Sequence, residues 1–387
     1  MHTRRPLWDV FCRVVDNHGD LGVAWRLAAD LASRSVDVRL WVDEPAALGW
    51  MAPGGPAGAR DRDGAGPGGR VDVIHWTAES PDLAPGDVAV ETFGCDLPPR
   101  FLQRMAAAVP GSATAWIDLE YLSAEGYVER SHGLASPISA APGRTLKRRF
   151  YYPGFTARTG GLLREPGLLG ARRRFDRGAW LAAAGVALRP GERLASRFCY
   201  ADAPLAALWD ALADRPTLLL ALPGPAAAQL EARLGPALHR GGLRVQKRDW
   251  LPQTDYDRLL WSCDLNFVRG EDSFVRAQWA GAPFVWQIYP QDDRAHAAKL
   301  AAFLDALLPD ADATLAGDLR RLFLGWNRLG DAPGPLVLPA EAPWRALCER
   351  WREHLAAQPD LTTQLLAFAE RVRGEDRAMS SPANGDR

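Results

Sequence analysis

The chain's 387 residues exceed what one ordinary hydrophobic core supports and predict two or three domains. With 47% hydrophobic and 24% charged residues, its composition is that of a globular protein rather than a disordered one. Basic and acidic residues balance at 46 and 47, a net charge of -1, which argues against a general nucleic-acid binder. No apolar run reaches the ~18–20 residues of a membrane span. Met1-His2-Thr3-Arg4-Arg5-Pro6 leads straight into a strand-like run rather than a secretory signal. A cytoplasmic protein is expected. Five scattered cysteines with no CxxC predict reduced, buried thiols, and seven histidines without paired ligand spacing predict no metal site.

The first ~150 residues alternate strand-like and helix-like stretches at the spacing of βαβ units. Strands are predicted over Trp8–Val15, Val36–Val42, Val71–Trp76, Val88–Phe93 and Ala113–Ile117. A helix over Asp20–Ala32 places Ala24, Leu27, Ala28 and Leu31 on one face. Residues 52–70, dense in Gly, Pro and Arg, read as an exposed loop. Glycine and proline breaks after Tyr152 suit a crossover. A second βα series then has strands at Arg193–Tyr200, Thr217–Leu222, Leu243–Trp250, Asp264–Val268 and Pro283–Ile288. Its helices are expected near 203–213, 225–234, 254–262 and 272–280, followed by helical stretches near 295–307 and 344–370. Two doubly wound α/β domains facing one another across a cleft are predicted. The expected divisions are 1–155, a crossover at 156–190, 191–345, C-terminal helices at 346–373, and a disordered tail at 374–387.

Three constellations could carry chemistry. At the first strand-to-helix handover, Asp16-Asn17-His18-Gly19-Asp20-Leu21-Gly22 brackets a glycine turn with two carboxylates. Ligands of open α/β sheets bind outside the carboxyl ends of strands, so the address is functional. A structural alternative has Asp20 capping the helix and Asp16 making an Asx-turn. The second constellation, Arg269-Gly270-Glu271-Asp272-Ser273, again ends a strand and opens a helix. The helix N-terminus and the arginine fork suit a diphosphate, and an ordinary capped helix is the alternative. The third comprises Phe198 and Tyr200, two apart on one strand, with Gln253 and Tyr256. They are either core aromatics or a clamp around a nucleobase with Gln253 reading its polar edge, and composition does not separate these.

These segments resemble the EarP family, bacterial protein-arginine rhamnosyltransferases that modify translation elongation factor P. The likeness is carried by Asp16 through Leu27, by Tyr152-Pro153-Gly154-Phe155-Thr156 with Thr159 through Glu165, by Leu259 through Trp279, and by Pro283 through Gln291. It runs from about Trp8 to Phe303. His18 stands where another aromatic is expected, residues 52–70 look inserted, and Tyr256 replaces a phenylalanine. The resemblance implies a GT-B-like α/β architecture, with an N-terminal acceptor domain and a C-terminal nucleotide-sugar domain. It implies dTDP-β-L-rhamnose as donor, inversion at the anomeric carbon, an arginine of elongation factor P as acceptor, and no cofactor or metal. Asp20 would be the base, supported by Asp16, with Glu271 the second essential acid. Asn17, Gly19, Phe198, Tyr200, Gln253, Tyr256, Arg269, Gly270, Asp272 and Ser273 would hold the donor.

Other classes fit less well. A dinucleotide-dependent oxidoreductase wants GxGxxG after the first strand, which is missing. A lipid-directed glycosyltransferase wants a basic amphipathic helix, and none is visible. A glycosyltransferase with a small-molecule or lipid acceptor remains the alternative. A non-enzymatic adaptor would not need the three acids. The partners expected are elongation factor P and a nucleotide sugar, with no nucleic acid or membrane, and the chain is expected to be a monomer.

Overall fold

The computed structural model describes residues 4–16, 18–54, 68–108, 113–141, 144–235, 237–291, 294–330 and 334–380. The chain forms two compact units: Met1–Pro166 with Gln358–Arg387, and Gly167–Ala357. Each unit is a doubly wound α/β sheet of the kind a GT-B-like protein uses.

The first unit begins β1 (Leu7–Cys12), α1 (Gly19–Ser33), β2 (Asp37–Val42), β3 (Val71–His75), β4 (Val88–Thr92), α2 (Pro99–Ala107) and β5 (Ala115–Leu119). A hairpin, β6 (Ala135–Ala141) and β7 (Arg144–Tyr151), completes its sheet. The order is β3-β2-β1-β4-β5-β7-β6, and only β6 runs antiparallel to its neighbour. Period-two alternation sends Trp8, Val10 and Cys12 to one face, where they pack on Leu21, Ala24, Leu27, Ala28 and Leu31 of α1. Phe11 faces the other side, against Trp41, Trp116 and Phe101 of α2. Strand order reverses between β1 and β4. That is the switch point at which sheets of this kind open a crevice for ligands.

The second unit contains β8 (Arg193–Arg197), α3 (Leu205–Ala213), β9 (Thr217–Ala221), β10 (His239–Arg240), β11 (Leu243–Lys247), α4 (Gln253–Ser262), β12 (Leu265–Arg269), α5 (Asp272–Ala280) and β13 (Phe284–Gln287). Its sheet order is β10-β11-β9-β8-β12-β13. Three further helices cover it: α6 (Ala295–Leu307), α7 (Ala313–Trp326) and α8 (Glu341–Ala356). Phe274 of α5 stacks on Trp286 at 3.9 Å and meets Phe303 of α6 edge-on, so the core is an aromatic cluster. All five cysteines are buried and free.

The C-terminal region differs from the single helical stretch expected over 344–370. Gln358-Pro359-Asp360 breaks it, and Asp360 caps a new helix, α9 (Leu361–Ser380), by accepting from Thr363 N at 2.8 Å. α8 stays with the second unit, where Trp351 Nε1 donates to Gln278 Oε1 at 2.8 Å. α9 returns to the first, burying Leu361, Leu365, Phe368, Ala369 and Val372 in its core. Residues 374–380, expected within a disordered tail, are the end of α9, with Arg149 paired to Glu375 at 2.8 Å. Residues 381–387 lie outside the described residues. No helix among the described residues is long and apolar enough to cross a membrane.

Candidate active site

The candidate residues fall into two groups, one in each unit. In the first unit β1 ends at Cys12 and the chain runs out to a turn closed by Gly19 N donating to Asp16 O at 2.7 Å. A Cβ on Gly19 would sit 2.8 Å from Asp16 Oδ2, so a larger residue here would displace that carboxylate. Asp20 does not cap α1. His18 holds the cap position without a side-chain bond, and Asp20 folds back over the preceding turn. Its Oδ2 accepts from Val15 N at 2.9 Å and Asp16 N at 2.8 Å. Asp43, past the end of β2, accepts from Val14 N at 2.9 Å. Three successive backbone N–H groups are thus fixed by two carboxylates. Asp20 is only 3% exposed, and burial pushes its pKa up, with Asp16 and Asp43 adding to the rise against the two N–H bonds. A carboxylate made more basic in this way is suited to receive a proton. Asn17, a candidate donor ligand, lies outside the described residues.

In the second unit the candidates gather at the ends of β8 and β12. Phe198 and Tyr200 lie on one side, and the guanidinium of Arg269 sits 4.3 Å from the first ring centroid and 4.7 Å from the second. Arg269 is only 5% exposed and its Nη1 donates to Cys199 O at 3.4 Å. Tyr256 of α4 meets Phe198 edge-on at 6.0 Å. The aromatics are therefore neither plain core nor a freestanding clamp; they surround a buried cation. Ser273 binds back to the strand end, accepting from Arg269 N at 3.0 Å and donating to Arg269 O. Gly270 turns the chain with φ 63, its C=O accepting from Trp286 Nε1 at 2.8 Å. Glu271 occupies the cap position of α5 and Asp272 its first turn, both half-buried, and Gln253 opens α4. This brings the first turn of α5, the positive end of its dipole, beside a positive charge.

Two polar features escape sequence reasoning. Asp257 of α4 and Arg276 of α5 form a buried two-bond pair at 2.8 and 2.6 Å, which locks the helices that carry Tyr256 and Ser273. In the first unit Glu91 and Asp118 are register partners on β4 and β5, 0% and 2% exposed. Arg148 Nη1 reaches Glu91 Oε1 at 2.8 Å and Asp118 Oδ2 at 3.5 Å. No short spacing in the chain links either set. Among the described residues no group of three or more His, Cys, Asp or Glu side chains is placed to hold a metal ion.

Comparison with known proteins adds the following. A family model described as Elongation-Factor P (EF-P) rhamnosyltransferase EarP matches residues 8–370. A protein-arginine rhamnosyltransferase of Pseudomonas putida is 46% identical, the match covering 94% of this chain and 98% of that protein. One from Pseudomonas aeruginosa is 43% identical, over 93% and 98%. A solved structure described as the structural basis for EarP-mediated arginine glycosylation of translation elongation factor EF-P superimposes with a TM-score of 0.64 at 33% identity. That match covers 95% of this chain and 99% of the other.

Proposed function

Because the chain belongs to the EarP family of EF-P rhamnosyltransferases, we propose that it moves L-rhamnose from dTDP-β-L-rhamnose to an arginine of translation elongation factor P, with inversion. The observation that carries the reading is the family match, which spans 8–370 and so takes in every candidate residue in both units.

The chemistry has one difficulty. A guanidinium has a pKa above ~12 and is a poor nucleophile, so a lone carboxylate does not simply deprotonate it. Two carboxylates can hold it in a fork, localise its charge, and accept a proton as the C–N bond forms. Asp16 and Asp20 take that role in our reading, Asp20 as base, because its burial raises its basicity. The departing dTDP gains negative charge. The first turn of α5, with Arg269 behind it, offsets that charge, and Phe198, Tyr200, Gln253 and Tyr256 receive the base. Gly19 and Gly270 let backbone approach the donor closely. Glu271, Asp272 and Ser273 face the sugar and diphosphate, Glu271 as the second essential acid. No metal takes part, and the protein works in the cytoplasm on elongation factor P.

Mass spectrometry of elongation factor P incubated with this protein and dTDP-β-L-rhamnose tests the reading. A deoxyhexose on one arginine is expected, and an unmodified factor under conditions where the donor binds would overturn it.

A further inference from the structure

The mechanism uses the β1 side of the switch point in the first unit and leaves the β4 side without a role. There the chain does something costly. Phe93, the first residue past β4, has φ 59, and Gly94 and Asp96 follow at 64 and 50. A bulky aromatic in the left-handed region is strained, and such strain persists where the surrounding structure holds it for a purpose. What the turn achieves is visible. The Phe93 ring lies against the core and stacks on Tyr121 beyond β5, with centroids 4.4 Å apart and planes 16° from parallel. Tyr121 keeps 38% of its surface exposed. The stack therefore reaches the surface through Tyr121.

Its position follows from strand register. Phe11 pairs with Glu91 across β1 and β4, and Thr92 Oγ1 donates to Phe11 O at 2.8 Å, which holds the two strand ends side by side. β1 and β4 are adjacent parallel strands, so the Asp16–Asp20 turn that follows β1 and the Phe93 turn that follows β4 leave the same edge of the sheet. That edge thus carries two carboxylates after β1 and an aromatic stack after β4 and β5.

We propose that the Phe93–Tyr121 stack is the surface on which the acceptor's guanidinium lies while Asp16 and Asp20 grip its edge. This deepens the reading of the first unit as the acceptor unit and rests on it. An apolar ligand would leave the carboxylates uncompensated, and an anion would be repelled by carboxylates and aromatic stack alike. An ammonium gains from the charge but has no plane to stack. A guanidinium is planar, weakly hydrated and forked, and it satisfies the carboxylates at its edge and the ring at its face together. The stack is a positioning device that selects arginine over lysine.

The test compares Tyr121→Leu, which keeps an apolar side chain, with Tyr121→Phe, which keeps the ring, using the full chain and elongation factor P. The wild-type chain must first be seen to transfer rhamnose to the factor; if it does not, the functional reading falls and this proposal with it. Titration calorimetry should show Tyr121→Leu weakening factor binding by about threefold to thirtyfold, with Tyr121→Phe within about twofold of wild type. Binding of dTDP by both variants should be unchanged, which also reports an intact fold. The decisive measurement repeats the titration with a factor whose modified arginine is replaced by alanine. The Tyr121→Leu penalty should disappear there. A penalty that persists in full would mean that Tyr121 touches some other part of the factor, and no penalty at all would mean that the ring is idle; either overturns the proposal.

Discussion

Asp20 is the residue on which the proposed chemistry turns, and its surroundings say how it should fail. Asn at this position keeps the shape and an oxygen for the turn's N–H groups but has no basicity. Asp20→Asn should lower transfer by about a hundredfold to ten-thousandfold while dTDP affinity stays within about twofold, measured by single-turnover mass spectrometry and by calorimetry. Arg269 should behave in the opposite way. Its guanidinium holds Phe198 and Tyr200 and supplies charge beside α5, so Arg269→Ala should weaken dTDP itself. The loss of a charge-assisted contact is worth about 1.5–3 kcal/mol, roughly tenfold to a hundredfold in a dTDP titration. The two residues were not equally legible. Asp16, Gly19 and Asp20 sit together in one strand-to-helix turn, where spacing alone points to them. That Asp20 folds back rather than capping α1 was not legible, because both arrangements use the same residues. Arg269 stood out as a charge at a strand end, but its seat between two rings of β8 is a tertiary fact.

The proposed donor site depends on α4 and α5 keeping their mutual position, and the buried Asp257–Arg276 pair ties the two helices together. Removing one member leaves an uncompensated buried charge. Asp257→Ala should cost about 3–5 kcal/mol in a denaturant titration of the full chain, far more than loss of a surface pair such as Arg320–Asp305. The elements themselves were unevenly visible. β1 through β5 announce themselves by apolar runs between glycine and proline breaks. The β6–β7 hairpin hides because Arg144, Lys147, Arg148 and Arg149 interrupt the alternation that Leu146 and Phe150 begin, and Arg148 is there to meet Glu91. α7 shows a usable signal, Leu315, Leu319, Leu322, Phe323 and Trp326 at helical spacing with Asp312 as cap.

The Glu91–Asp118 pair makes the stability of the protein depend on pH. Two buried carboxyls share one guanidinium, and burial, then the neighbouring Glu91, pushes Asp118 up to about 8. Its folded pKa lies above its unfolded value, so the folded state binds the proton more tightly. The resulting stability is full below the ordinary aspartate range and is lost as pH rises through about 8. The urea midpoint should therefore fall between pH 6 and 9, and Asp118→Asn, which mimics the protonated acid, should flatten that fall. The return of α9 to the first unit sets another dependence, on time. The chain leaves the first core at Pro166 and rejoins it at Gln358, so Leu361, Leu365 and Phe368 are made last. At roughly 5–20 residues per second, a ribosome spends tens of seconds on the intervening unit. For that interval the first core lacks the side chains of α9, and by its end the inserted unit holds every residue of its own core. The nascent protein thus completes its second unit before its first, and a message cut just after Ala357 yields a chain whose second unit is whole and whose first is open.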